Sequence, residues 1–414
     1  MGQDIYGIGE IPPLGEVPRY MHAAMIRQER YGAPADAIRI EQTEVPPVGR
    51  GQILLLVMAA GVNYNGVWAA LGAPADVIAA RRKQGDPHDF HIAGSEGAGV
   101  VWAVGEGVTQ YGVGDEVIVG GVRWDESAPD IRLGTDPTAS RSQRAWGYEL
   151  NHGSFAQFTV VDEYQCHPKP PRLTWEEAGC FLGGGSTSYR MLTGWHPHHV
   201  RPGDPVLIWG GSGGLGSMAI QIVNHFGGIP VAVVSDDAKR DHCMRLGAHG
   251  VVNRREFTHW GGLPDPDDTA AYGAWLDGAR SFGRRFWEVL GERRSPRIVL
   301  EHPGRDTLAT SVYVCDNAGM VVTCAGTSGY LGHIDLRFLW MFQKRLQGSH
   351  AANVRETRAI IDLVAAGRVD PCLSETVPFE EIGSAHQQVY ENRHAAGNTA
   401  VLVNAPGPGL TGMP

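Results

Sequence analysis

Two short stretches of this 414-residue chain carry residues whose types and spacing could do chemistry. In "WGYELN", residues 146–151, the carboxylate of Glu149 stands beside an aromatic residue and shortly before an amide, at the entrance to the strand-like run "SFAQFTVV". Such a carboxylate can be a solvated charge, a general base or a group that orients other donors, and the stretch by itself leaves those options open. In "VLIWGGSGGLGSMAIQIVNHFGG" an apolar strand runs into Gly211, Ser212, Gly213, Gly214, Leu215 and Gly216, and then into an amphipathic helical pattern. Glycines at that place let the backbone approach a pyrophosphate, and the helix start offers unpaired N–H groups and the positive end of a dipole. A bare G-x-G-x-x-G is weak, but between a strand and a helix it points to a dinucleotide.

The second strand of that region, "VAVVS", ends at Ser235, where a site preferring NAD usually places an acid to hold the ribose 2′-hydroxyl. Asp236 comes one position late, while Lys239 and Arg240 are near enough to meet a 2′-phosphate. NADPH is therefore favoured over NADH. For either basic residue alone, a solvated helix face explains it equally well.

The elements that must position these residues fall into two textures. From Met21 to about Val161, short runs such as "GQILLLVMAAGV", "GAGVVWAVG" and "DEVIVGG" are bounded by Gly, Pro and Asp and read as a compact β-rich, barrel-like domain. The polar segment Gly121 to Ala145 reads as a long loop, of a length that tends to be functional or disordered, and "LTWEEAGCFLGGGSTSYRMLTG" reads as helix. From about Ser186 to Ala352, nearly continuous apolar strands alternate with helical patterns, as in a doubly wound parallel α/β sheet bearing the dinucleotide. The tail returns to the first texture, which places residues 1–185 and 353–414 in one domain and 186–352 in the other.

A formal net charge of −10 argues against a broad nucleic-acid or anionic-membrane surface, so phosphate binding has to be local. The longest apolar run is too short to span a bilayer, and the start lacks the order of a signal peptide. Six scattered cysteines without a C-x-x-C pair signal neither a zinc ribbon nor a disulfide framework, which fits a reducing cytoplasm.

"AGSEGAGVVWAVGEGVTQYGVGDEVIV" resembles the catalytic domain of the medium-chain dehydrogenase/reductase superfamily, whose zinc-dependent members carry His immediately before the motif's Glu. Here Ser95 precedes Glu96, and a hydroxyl is a poor zinc ligand, so no metal is expected. The resemblance implies a GroES-like catalytic domain joined to a Rossmann domain, on the zinc-free reductase side of the superfamily.

Further stretches narrow it: "VNYNGVWAALG", "AWGYELNHGSFAQF", "LTWEEAGCFLGGGSTSYRML", "LEHPGR", "TCAGTSGY" and "FLWMFQKRLQGSHAAN". Together they resemble the crotonyl-CoA carboxylase/reductase family from about Tyr20 to Pro406. That resemblance implies transfer of hydride from NADPH to a trans-2-enoyl-CoA, followed by capture of CO2, a co-substrate, to give an alkylmalonyl-CoA. It also places a CO2 pocket on Asn65, Tyr148, Glu149 and His350. Asn65 would give an amide donor, His350 a ring N–H or a held water, and Glu149 would orient His350, since an ionised carboxylate cannot donate. It marks Arg337 for a CoA phosphate and Phe338 for stacking on adenine, with Lys344 and Arg345 as weaker candidates.

Ala351 stands where short-chain members often have Phe, which predicts room for acyl groups larger than crotonyl, as polyketide extender-unit supply would use. A homo-oligomer, tetramer or dimer, is implied. The competing readings are a non-carboxylating zinc-free enoyl-thioester or quinone reductase, and a nucleotide-binding protein without turnover.

Overall fold

The structure, a computed structural model, describes residues 3–413. The chain forms two compact units, Met1–Gly183 with Ala352–Ala366 and Pro371–Pro414, and Gly184–Ala351 with Gly367–Asp370.

The first unit begins with strands β1 (Tyr20–Arg27), β2 (Arg39–Glu44), β3 (Gln52–Gly61), β4 (Phe90–Ile92), β5 (Glu96–Val104), β6 (Glu116–Gly120), β7 (Val122–Arg123), β8 (Arg144–Ala145), β9 (Phe158–Asp162) and β10 (Cys166–Pro168). The apolar run of β3 is buried from Ile53 to Gly61, because β5 and β9 both pair with it antiparallel. The stretch from Gly153 to Gln157 stays irregular, contrary to the strand expected there. Its amides are taken by the carbonyls of Ile92, Gly94, Ala93 and His22.

The segment from Gly121 to Ala145 is also more ordered than the expected loop. The strands β7 and β8 pair as a ribbon that encloses two short helical turns. Its aspartates build the turns: Asp130 accepts from Ser140 and the Arg141 amide, and Asp136 from the Thr138 amide. The single helix expected after residue 173 is two, Trp175–Cys180 and Leu182–Thr193, the first started by a capping box between Thr174 and Glu177.

In the second unit, β11 (Pro205–Ile208), β12 (Ile229–Val234), β13 (Gly250–Asn253), β14 (Ile298–Glu301), β15 (Met320–Thr323) and β16 (Arg345–Gly348) form a parallel sheet in the order β13-β12-β11-β14-β15-β16. The order reverses between β11 and β14, which is the switch point where open α/β sheets take their ligands. Trp209 stacks on Phe282 with centroids 5.4 Å apart in the core covering one face. The chain then returns to the first unit, where β17 (Leu373–Pro378) and β18 (Asn398–Leu402) complete a seven-stranded sheet through the β18–β3 pairing.

Candidate active site

In the first unit the candidate residues meet around three consecutive positions at the start of β5. Asn65 lies in the first turn of helix Tyr64–Leu71, and its Nδ2 donates to Oγ of Ser95 at 3.3 Å. The helix's N-cap residue, Asn63, uses its side chain elsewhere: Nδ2 donates to Glu96 Oε1 at 2.5 Å. The other oxygen of Glu96 accepts the Gly183 amide at 2.8 Å, and burial pushes this carboxyl above its ordinary range.

The "WGYELN" stretch is a tight turn. The amides of Tyr148, Glu149 and Leu150 converge on the Ala145 carbonyl at 3.3, 2.9 and 3.0 Å. Glu149 closes the turn with its side chain, Oε2 accepting the Ala145 amide at 2.7 Å, while the residue remains exposed. Gly147 has φ +68°, and a Cβ there would come 1.9 Å from the Gly94 carbonyl oxygen, so only glycine lets the turn pack so close to β5. Tyr148 then faces Trp68 of the Asn65 helix, ring centroids 6.3 Å apart.

Two residues outside the sequence-derived set bolt this turn to β4. Asn151 accepts the Ile92 amide at 2.9 Å and donates to the Phe90 carbonyl at 3.2 Å. His91, fully buried, reaches the Gly147 carbonyl through Nε2 at 3.3 Å. Burial, and then the nearby Arg81, lower its pKa to about 3, so the ring is neutral and Nε2–H is the donor.

In the second unit the glycine turn has the close packing a dinucleotide loop needs. A Cβ on Gly211 would lie 2.6 Å from that of Ala232 on β12, and one on Gly216 would lie 2.3 Å from the Gly210 carbonyl oxygen. Gly213 caps helix Gly214–His225 in an extended conformation, which leaves the N–H groups of Gly214, Leu215 and Gly216 at the open helix end. Ser212 is buried in the turn, and Ser188 Oγ donates to the Leu215 carbonyl at 2.8 Å. These residues fit a pyrophosphate.

Ser235 follows β12, with several basic residues around it. Arg240 turns back and donates to the Val251 carbonyl at 3.3 Å. Arg255, from the turn after β13, pairs with Asp236 at 3.1 Å, and Arg254 and Arg255 both bear on Lys239. Basic side chains from two strand ends thus gather beside Asp236 and Lys239, and Arg254 and Arg255 lie beyond the next strand in sequence.

The family descriptions "Alcohol dehydrogenase GroES-like domain" and "Zinc-binding dehydrogenase" match residues 49–171 and 214–366. A crotonyl-CoA carboxylase/reductase of Cereibacter sphaeroides is 48% identical over 99% of this chain and 93% of its own length. The structure of the crotonyl-CoA carboxylase/reductase AntE in complex with NADP is 65% identical, with a TM-score of 0.94, covering 97% of this chain and 99% of that one. This chain belongs to the crotonyl-CoA carboxylase/reductase family. It is an oxidoreductase with the family's two-domain fold and NADP dependence. A more distant member, the 2-octenoyl-CoA carboxylase reductase CinF in complex with NADP and 2-octenoyl-CoA, has a TM-score of 0.88 at 37% identity, covering 96% of this chain and 90% of that one.

The remaining family positions lie in the second unit. His350, exposed, follows β16, and Ala351 next to it is half-buried with φ +55°. Arg337, exposed on helix Leu336–Trp340, is clasped by Asp335, with Nη2 to Oδ2 at 2.6 Å, and this pairing lowers the Asp335 pKa to about 2. Phe338 is half-buried, set edge-on to Tyr313 at 4.9 Å, and so packs into the core more than the sequence anticipates. Lys344 Nζ donates to the carbonyls of Val312 and Tyr313 at 2.8 and 3.0 Å, which engages two of its three N–H donors. Arg345 donates to the His196 carbonyl at 3.1 Å. Among the described residues, no three of His, Cys, Asp or Glu are grouped to hold a metal ion, and no helix is long and apolar enough to cross a membrane.

Proposed function

We propose that this chain reduces and carboxylates a trans-2-enoyl-CoA whose acyl group is larger than crotonyl, giving an alkylmalonyl-CoA suited to polyketide extension. The observation that carries the reading is the join, inside the first unit, of the Asn65 helix and the Tyr148–Glu149 turn onto one short stretch of β5. NADPH supplies the hydride that reaches the β-carbon of the enoyl thioester. The α-carbon of the resulting enolate forms a bond to CO2, and no proton is consumed. A proton taken up in place of CO2 yields the saturated acyl-CoA.

Preference for CO2 over a proton by tenfold needs about 1.4 kcal/mol between the two barriers. Carbon dioxide gains negative charge on its oxygens as its carbon is attacked, and donors set beforehand stabilise that charge. Asn65 offers an amide N–H on a fixed helix turn. Glu149 keeps the turn closed and acts as an acceptor that can orient a donor such as a water, and Tyr148 gives an aromatic wall. His350 contributes a ring N–H, and Arg337 a guanidinium for a CoA phosphate.

The methyl of Ala351 supports a long acyl group, as does the 2-octenoyl-CoA found with the relative CinF. A homo-oligomer, dimer or tetramer, is supported by β16, an edge strand flanked by exposed Leu336, Trp340 and Met341. Six free cysteines suit the reducing cytoplasm.

The test is turnover of an enoyl-CoA series from four carbons upward, with NADPH and labelled bicarbonate, by the parent and Ala351→Phe. The expected result is labelled product with a preference for long chains, which the variant loses more than it loses crotonyl-CoA turnover. Equal losses across the series would remove Ala351 from the acyl site.

A further inference from the structure

We propose that Ser95 is a positioning residue for carbon dioxide fixation: its hydroxyl tethers the Asn65 amide and thereby sets how much of the reduced intermediate is carboxylated and how much is protonated. The inference rests on the proposed role of Asn65. Gly94, Ser95 and Glu96 are consecutive, and each grips a different part of the site. The Gly94 carbonyl abuts Gly147 of the Tyr148–Glu149 turn, Ser95 Oγ takes Asn65 Nδ2 at 3.3 Å, and Glu96 takes Asn63 Nδ2 at 2.5 Å.

The backbone beneath them is fixed. The Gly94 carbonyl accepts the Ser154 amide at 3.0 Å, the Ser95 carbonyl accepts the Gly121 amide at 3.1 Å, and Ser154 Oγ donates to the Glu96 carbonyl at 2.6 Å. A side-chain amide turns about its terminal bond with a broad, two-fold preference, so an untethered Asn65 would swing its donor away and present its carbonyl oxygen to the same place. An acceptor facing the growing negative charge on carbon dioxide opposes the reaction that a donor assists. One amide hydrogen held by Ser95 leaves the other with a set direction. Ser95 is half-buried and cannot compete for a metal as an imidazole would.

The experiment compares the parent with Ser95→Ala, Ser95→Thr and Asn65→Ala, using NADPH, an enoyl-CoA and labelled bicarbonate. It measures the ratio of alkylmalonyl-CoA to saturated acyl-CoA, total NADPH consumption and the melting temperature. Ser95→Ala is expected to lower the ratio about tenfold, with a smaller fall in NADPH consumption and an unchanged melting temperature. Ser95→Thr, which keeps the hydroxyl, should restore most of the ratio.

A ratio lowered by Asn65→Ala and left intact by Ser95→Ala overturns the role of Ser95 and leaves that of Asn65 standing. A ratio that neither variant changes removes Asn65 from carboxylation, and the inference with it. A parent that makes saturated acyl-CoA alone overturns the proposed function itself.

Discussion

His386 occupies the space that a side chain at position 66 would need: a Cβ built on Gly66 would lie 2.2 Å from the imidazole Nε2. The ring is fully buried, and Nδ1 donates to the Ile382 carbonyl at 2.8 Å, so Nε2 presents a bare lone pair to the helix that carries Asn65. Gly66→Ala is expected to push that helix off its seat, costing about 1–3 kcal/mol as overpacking does, and to lower carboxylation more than NADPH consumption. The double variant Gly66→Ala/His386→Ala should recover part of the loss. Additive melting-temperature shifts for the two changes would mean that the ring and the glycine are uncoupled.

Acid sensitivity follows from four histidines of the first unit, three of them buried and His152 half-buried. Burial lowers His91 to about 3, and His152, His167 and His386 to about 4, with Arg81 adding to the effect at His91, His88 at His152 and Arg358 at His167. In the unfolded chain each titrates near 6.5, so the unfolded state binds protons first as pH falls. The stability from keeping these rings neutral is complete above about pH 6.5 and is lost progressively toward pH 4, by up to about 1.4 kcal/mol per pH unit for each ring. Denaturant titrations from pH 7.5 to 4.5 should show that decline, and His386→Gln should make it shallower. A stability independent of pH across this window would contradict neutral burial.

Cofactor choice should depend on the turn after β13. Arg255→Ala is expected to weaken NADPH binding by about tenfold or more, the scale of a lost charge-assisted hydrogen bond, and to affect NADH by much less. Arg240→Ala should matter less, because Arg240 is committed to the Val251 carbonyl. Fluorescence titration with both nucleotides checks the pair, and an equal loss of NADPH and NADH affinity in Arg255→Ala would remove it from the 2′-phosphate.

Glu149→Ala should cost carboxylation more than hydride transfer, since the carboxylate accepts hydrogen bonds and donates none. The side chain also closes its own turn on the Ala145 amide, so Glu149→Gln, which keeps an acceptor oxygen, should fall between the parent and Ala. Equal losses of both half-reactions in both variants would assign Glu149 to folding or substrate binding.

What was legible in the sequence was local. The glycine turn could be read because strand, glycines and helix are contiguous, and the exchange of a zinc-binding His for Ser95 was plain in one motif. The second role of Ser95 was hidden, because its partner Asn65 is thirty positions away and meets it only when β5 and the Asn65 helix are in place. The approach of Arg255 to Asp236 is not legible either, because nearness in sequence says little about which side chain a neighbouring parallel strand delivers. The ribbon in the Gly121 to Ala145 segment was lost in its polarity, since its order comes from aspartates bonding to nearby hydroxyls and amides, without an apolar period.

The most direct test is the stoichiometry of a single reaction: labelled carbon incorporated per NADPH oxidised, with a trans-2-enoyl-CoA and saturating bicarbonate under carbonic anhydrase. A ratio near one, with the label in an alkylmalonyl-CoA, is the predicted result. Oxidation of NADPH to give unlabelled, saturated acyl-CoA would contradict it.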